Sequence, residues 1–199
     1  LLAGYTEQPP LYTWVQHFLF QVFGKNVFAI SLWKNSLLFL TYLCVFFAAR
    51  EILKCPRKAI LATLSLLLIP QICWESQRDM THTTLVVFAA AATLWQSMRC
   101  VKNQHLLNYC ILGLLLSVGI LAKANFALFG TILFLSLSLS PEGRKMIFAK
   151  KMLLTLLVIL LLCNNYFLWM LNNQDIVFSA THKFKQASTN AYMKGTGSL

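Results

Sequence analysis

Residues 28–49 read FAISLWKNSLLFLTYLCVFFAA, an apolar run whose single charge is Lys34. Such a run, wound as a helix, is long enough to cross a hydrocarbon core of about 30 Å. Gly24-Lys25-Asn26 turns the chain before it, and Arg50, Lys54, Arg57 and Lys58 follow it, with Pro56 as a breaker. Lys34 lies near the start of the run, where a long side chain can snorkel outwards.

The same pattern recurs downstream. Apolar segments cover about 59–72, ending near Pro70, then 83–98, 106–122, 126–140 and 152–171, and basic clusters punctuate them. Hydrophobic residues make up 58% of the chain and charged residues 12%, with a mean hydropathy of +0.64. That excludes an ordinary soluble domain, where about a quarter of residues are charged. The net charge of +11 is spread between hydrophobic segments instead of gathered on one solvated face, which argues against a nucleic-acid partner. The fold expected is all-α, a polytopic transmembrane helix bundle of about six spans plus one interfacial amphipathic helix. Residues 1–27 would be the end of a first outer loop with that helix, 28–171 the bundle, and 172–199 an outer loop or the start of a following region. The chain opens Leu-Leu and ends in a polar tail, as a fragment of a larger membrane protein would; no signal peptide is visible. No repeat of fixed period is present.

Upstream of the first span, Tyr5-Thr6-Glu7-Gln8-Pro9-Pro10-Leu11-Tyr12-Thr13-Trp14 is a polar, proline-punctuated loop entering an aromatic helix. Proline suits a helix's first turn, which predicts a helix over 9–23, roughly 22 Å long and too short to span. Thr13, Gln16, His17 and Gln21 give it a polar stripe beside Trp14, Phe18, Phe20 and Phe23, a pattern suited to the interface plane.

Orientation follows from basic residues in short loops. Arg50, Lys54, Arg57, Lys58, Arg99, Lys102, Arg144, Lys145, Lys150 and Lys151 fall on one face, which is then cytoplasmic. Lys25, Lys34, Arg78, Lys123, Lys183, Lys185 and Lys194 fall on the other. The outer face also holds Glu7, Asp79 and His82, with His182 beside Lys183 in the tail.

Three cations near one membrane surface can hold an anionic headgroup, arginine through its planar fork and lysine as a point charge. Carboxylates beside them can accept a proton from a hydroxyl or amine. Plainer readings stand next to these. Arg78 and Asp79 suit a solvated ion pair, and His82 a hydrogen-bonded residue at a helix start. His17 reads as a polar-face residue and His105 as part of a cytoplasmic loop. Lys123 is harder to explain structurally, because it interrupts two apolar runs at Gly119-Ile120-Leu121-Ala122-Lys123-Ala124-Asn125-Phe126 with almost no loop. Cys44, Cys55, Cys73, Cys100, Cys110 and Cys163 include no Cys-x-x-Cys pair, so neither a zinc site nor a disulfide framework is indicated. Asp79 and His82 could ligate a divalent metal, but two residues do not make a site.

Glu7-Gln8-Pro9-Pro10-Leu11-Tyr12-Thr13-Trp14 followed by Phe23-Gly24 resembles the E-x-P-P-L-Y-x-W…F-G signature of bacterial family 39-type glycosyltransferases. These are relatives of dolichyl-phosphate-mannose–protein mannosyltransferases and of the lipid A aminoarabinose transferase. Ser76-Gln77-Arg78-Asp79-Met80-Thr81-His82 resembles their second outer loop, and Gly113 to Asn125 their G-L-x-x-G-L-x-x-L-x-K segment. The resemblance implies a GT-C fold and transfer, with inversion, of a sugar from a polyprenyl-phosphate-linked donor. The acceptor would be a lipid, glycan or protein at the outer face of the bacterial cytoplasmic membrane. No cofactor is expected, with a divalent metal left open. The resemblance makes Asp79 and Glu7 candidate catalytic carboxylates, and Gln8, Arg78, His82, Lys123 and Asn125 candidate substrate-binding residues. It also implies that the principal carboxylate precedes Leu1, which leaves Glu7 to organise the site. This chain departs from the pattern at Gln8, where several relatives carry lysine, and at His82, where many carry aspartate. The alternative is a transporter or flippase, whose ionisable residues would lie near the bilayer midplane on repeated, broken helices.

Overall fold

In the computed structural model, residues 9–78 and 82–173 are described, and among them every regular element is helical. The chain is a polytopic bundle of membrane-capable helices. Helix α1, Leu11–Phe23, begins one residue after Pro10, whose carbonyl accepts from the Trp14 N–H at 3.0 Å. The predicted start at residue 9 is thus early by two positions, since a residue preceding proline is disfavoured in helical backbone.

Helix α2, Val27–Leu53, is capped by Asn26, whose side chain accepts from the Ala29 N–H at 2.9 Å. Its far end closes at Lys54 in the left-handed region, φ 50°, with its N–H on the Arg50 carbonyl. The second apolar segment is not a straight span. Helix α3, Pro56–Leu64, continues as a 3-10 turn, Ser65–Leu68, and then bends by 74° into Gln71–Arg78. Proline causes the bend: Ile69 precedes Pro70 and is extended, φ −92° and ψ 107°. A π-helical turn, Gln71–Glu75, leads into the short α4, Ser76–Arg78.

Helices α5, His82–Lys102, and α6, Leu106–Ala122, lie side by side, and α2 packs on the other flank of α5. Lys123-Ala124-Asn125 interrupts the backbone ladder, as read from the sequence, and α7, Phe126–Ser138, folds back on α6. Gly119 permits that return, because a β-carbon there would stand 2.2 Å from the Phe126 ring. After α8, Pro141–Ile147, helix α9, Met152–Asn172, packs on α6 with Thr155 against Gly113. Among the described residues, α2, α5 and α9 are individually long and apolar enough to cross a membrane. The bent pair could count as a fourth span, and α6 and α7 are shorter apolar helices. The six apolar segments of the sequence are therefore all helical but unequal in reach.

Two cores hold the bundle. One gathers Ala89, Tyr109, Leu112, Leu116, Phe126 and Met146; the other gathers Tyr12, Leu37, Leu85 and Ala122 with Trp33 packed against them, and Val86 and Val118 lie against both. The outer side of α9 stays uncovered, with Leu153, Leu157, Leu160 and Leu161 all exposed, as suits a lipid-facing surface.

Candidate functional site

The second core lies where the starts of α1, α2 and α5 meet the end of α6. Tyr12 is its hub, only 4% exposed, with its ring 5.1 Å from His82 and 6.4 Å from Trp33. Burial pushes its phenol above the ordinary tyrosine range, so it stays a protonated donor across neutral pH. His82 opens α5, and its ring reaches the Ala122 backbone with Lys123 as its charged neighbour. Lys123 is extended, φ −163° and ψ 138°, and its ammonium donates to Thr83 Oγ1 at 3.2 Å. The break after α6 thus aims one cation at the first turn of α5. Among the described residues one of its three donors is engaged, which leaves capacity for an anion.

A second cation is buried close by in the fold. Lys34, 8% exposed, does not snorkel outwards; its ammonium donates to the Gln77 carbonyl at 2.7 Å, and Gln77 Nε2 donates to Asn35 Oδ1 at 3.4 Å. These bonds tie α2 to the segment that Pro70 turns back. An ionisable residue inside a membrane helix is a functional candidate by default, and Lys34 was visible on that ground as the lone charge of its run.

The structure brings His82 and Lys123 together. Arg78 ends α4 with an exposed side chain, and Asn125 is exposed at the start of α7 without capping it. Glu7, Gln8, Asp79, His182 and Lys183 lie outside the described residues, as does nearly all of 172–199. Tyr12 and Trp33 were not singled out from sequence, and Gln16 only as part of a polar stripe. Tyr12 and Gln16, one helical turn apart, both turn inward, whereas His17 and Gln21 stay exposed and bonded to each other at 3.3 Å. Among the described residues no three His, Cys, Asp or Glu side chains come together as a metal site, and all six cysteines are free. A separate apolar groove of about 500 Å³ runs along α6, α7 and α9 between Phe126 and Ser138, lined by Leu116, Ile120, Phe134 and Ile159 without an ionisable group.

A helical membrane chain with this proline-aromatic entry and this cationic break matches one family model over residues 7–169. The chain belongs to the dolichyl-phosphate-mannose-protein mannosyltransferase family. Among curated proteins it is 37% identical over 191 residues to lipopolysaccharide core galacturonosyltransferase RgtB of Rhizobium johnstonii, covering 96% of this chain and 39% of that protein. It is 34% identical over 181 residues to lipopolysaccharide core galacturonosyltransferase RgtA of the same organism, covering 91% of this chain and 36% of that one. The chain therefore spans under two fifths of the length of these relatives. No solved structure is significantly similar.

Proposed function

We propose that this chain is part of an inverting glycosyltransferase that moves a sugar from a polyprenyl-phosphate donor to a lipid or glycan acceptor. Transfer takes place at the outer, periplasmic face of the cytoplasmic membrane and uses no cofactor. The observation that carries the proposal is Lys123, fixed in the break between α6 and α7 with its ammonium on Thr83, beside His82 and Tyr12. Breaking a sugar–phosphate bond leaves negative charge on the departing phosphate, and a cation already aimed at it stabilises that transition state without reorganising. Arg78 on the exposed end of α4 is the second candidate cation. The apolar groove supports the reading: it begins at Phe126, a turn from Lys123, and offers an isoprenoid chain a lipid-side path below the phosphate.

The orientation has its own support. Lys102 pairs with Glu51, and Lys151 donates to the Gln104 carbonyl, so the basic clusters share the end opposite Lys123. By the positive-inside rule this supports a cytoplasmic basic end and an outer site. Glu7 and Asp79 are the candidate proton acceptors. The family and the names of its relatives make galacturonic acid the first sugar to try and a lipopolysaccharide core the first acceptor. A protein acceptor and a hexose or pentose donor are the next trials.

Lys123→Ala in the full-length enzyme is the test. Transfer from polyprenyl-phosphate galacturonic acid to a lipopolysaccharide acceptor falls by a factor of about 100 or more, as for loss of a group that meets developing charge. Wild-type turnover together with wild-type donor affinity would remove Lys123 from the site.

A further inference from the structure

The end of the bundle that holds Lys123 carries a second set of groups that phosphate binding does not use. Tyr12 OH, both amide atoms of Gln16, Trp33 Nε1 and His82 Nδ1 are buried and have no hydrogen-bond partner among the described residues. Tyr12 links them, through its ring contacts with Trp33 and His82 and through Gln16 one turn along α1. Buried polar atoms are nearly always partnered, so four side chains from three helices with open atoms in one place mark a site built for something else.

The chemistry of the set narrows what that is. Every member can act as a neutral group: a phenol, an indole N–H that only donates, an imidazole nitrogen, and an amide that both donates and accepts. Anionic groups, the phosphate and a uronic acid's carboxylate alike, would be met by Lys123 and Lys34, whose bonds to Thr83 and Gln77 lie at the border of the set, which leaves the neutral groups for hydroxyls. A metal ion would need further ligating side chains, and among the described residues none gather there. Mixed neutral donors and acceptors beside three flat rings complement a sugar. Its hydroxyls both donate and accept, and its C–H faces lie against aromatic rings.

We propose that Tyr12, Gln16, Trp33 and His82 form the subsite that reads the hydroxyl groups of the transferred sugar, next to but separate from the cations that hold its phosphate. The subsite rests on the glycosyltransferase reading above. It assigns specificity to α1, the helix that the proline-rich entry positions, and it makes His82 a neutral hydrogen-bonding residue.

The test uses the full-length protein in lipid nanodiscs, with two probes: undecaprenyl phosphate and the same lipid carrying galacturonic acid. Wild type binds the sugar-bearing lipid more tightly, by about tenfold or more for two or three hydroxyl contacts. Tyr12→Phe keeps the ring contacts and removes only the hydroxyl; it abolishes most of that preference and leaves affinity for the bare lipid unchanged. Gln16→Met acts in the same direction. Thermal unfolding of both variants without lipid stays at the wild-type temperature, because these atoms have no partner among the described residues to lose. The subsite is overturned if wild type shows no sugar preference or if both variants keep it. It is also overturned if affinity for the bare lipid falls in step. Failure of the underlying reading looks different: Lys123→Ala would then bind bare undecaprenyl phosphate as wild type does, whatever Tyr12→Phe does.

Discussion

The two ends of this bundle use polar residues in opposite ways. Towards the basic end the buried polar side chains among the described residues are answered, Thr93 Oγ1 excepted. Gln96 Nε2 donates to the Asn108 carbonyl at 2.9 Å and to its Oδ1 at 3.3 Å, and Asn108 Nδ2 donates to the Asn103 carbonyl at 2.8 Å. Thr155 Oγ1 donates to the Tyr109 carbonyl at 2.8 Å, and Tyr109 OH to the Met146 carbonyl at 3.2 Å. At the Lys123 end, Tyr12, Gln16, Trp33 and His82 leave polar atoms buried and open. Closed networks fix helix against helix where lipid offers no hydrophobic drive to pack. Open ones cost stability, and a fold keeps them where a ligand completes the set. On the proposed function one end is scaffold and the other is site, and substitutions should separate them.

The largest expected effect comes from the element that joins the two. A β-carbon at Gly119 would lie 2.2 Å from the ring of Phe126, which is 1% exposed and packed against Phe129 at 5.5 Å. The ring has little room to yield, so Gly119→Ala should shift the start of α7 and carry Lys123 off Thr83. We expect a loss of about 1–3 kcal/mol in stability, the usual range for overpacking, together with a fall in transfer of at least tenfold. Thermal unfolding in detergent and a transfer assay measure the two. Full activity with unchanged unfolding would show that the break does not depend on this glycine.

Next in size is a matched pair, Gln96→Leu against Gln16→Leu. The first strips a donor from two buried acceptors of Asn108 and should cost about 1–3 kcal/mol while leaving the chemistry intact. The second removes an amide with no partner among the described residues, so stability should hold or rise while transfer falls. Equal destabilisation by both would erase the contrast between the ends. If Gln16→Leu kept full transfer, α1 would be no more than an anchor.

That contrast was only half legible in the sequence. The apolar segments, the break at Lys123 and the interruption near Pro70 follow from length, charge and proline chemistry, and the helices keep to them. The inward faces did not follow. In a membrane the surroundings are as apolar as the core, so hydrophobic periodicity does not tell a lipid-facing residue from a packed one. Thr13, Gln16, His17 and Gln21 read as one solvated stripe on α1, yet Gln16 turns in with Tyr12 while His17 and Gln21 remain outside. Lys34 shows the same limit: position in the run suggested snorkelling, but Pro70 folds the Gln77 carbonyl back to meet it. The contact joins residues 43 apart in the chain, and no local pattern encodes it.

The smallest effect is expected at the most conspicuous charge pair. Lys102 and Glu51 join the ends of α5 and α2, but their side chains are 56% and 32% exposed. At that exposure water screens the attraction, and ordering two long side chains offsets much of what remains, so such a pair is worth about 0–1 kcal/mol. Glu51→Gln should therefore lower stability by less than about 1 kcal/mol, less still at high salt, and leave transfer untouched. The basic end would then owe its closure to the buried Gln96–Asn108 and Thr155–Tyr109 bonds, which salt does not reach. A large, salt-sensitive loss on Glu51→Gln would instead put the ion pair at the centre of that closure. The difference between the two ends would then be one of charge, not of hydrogen-bond completeness.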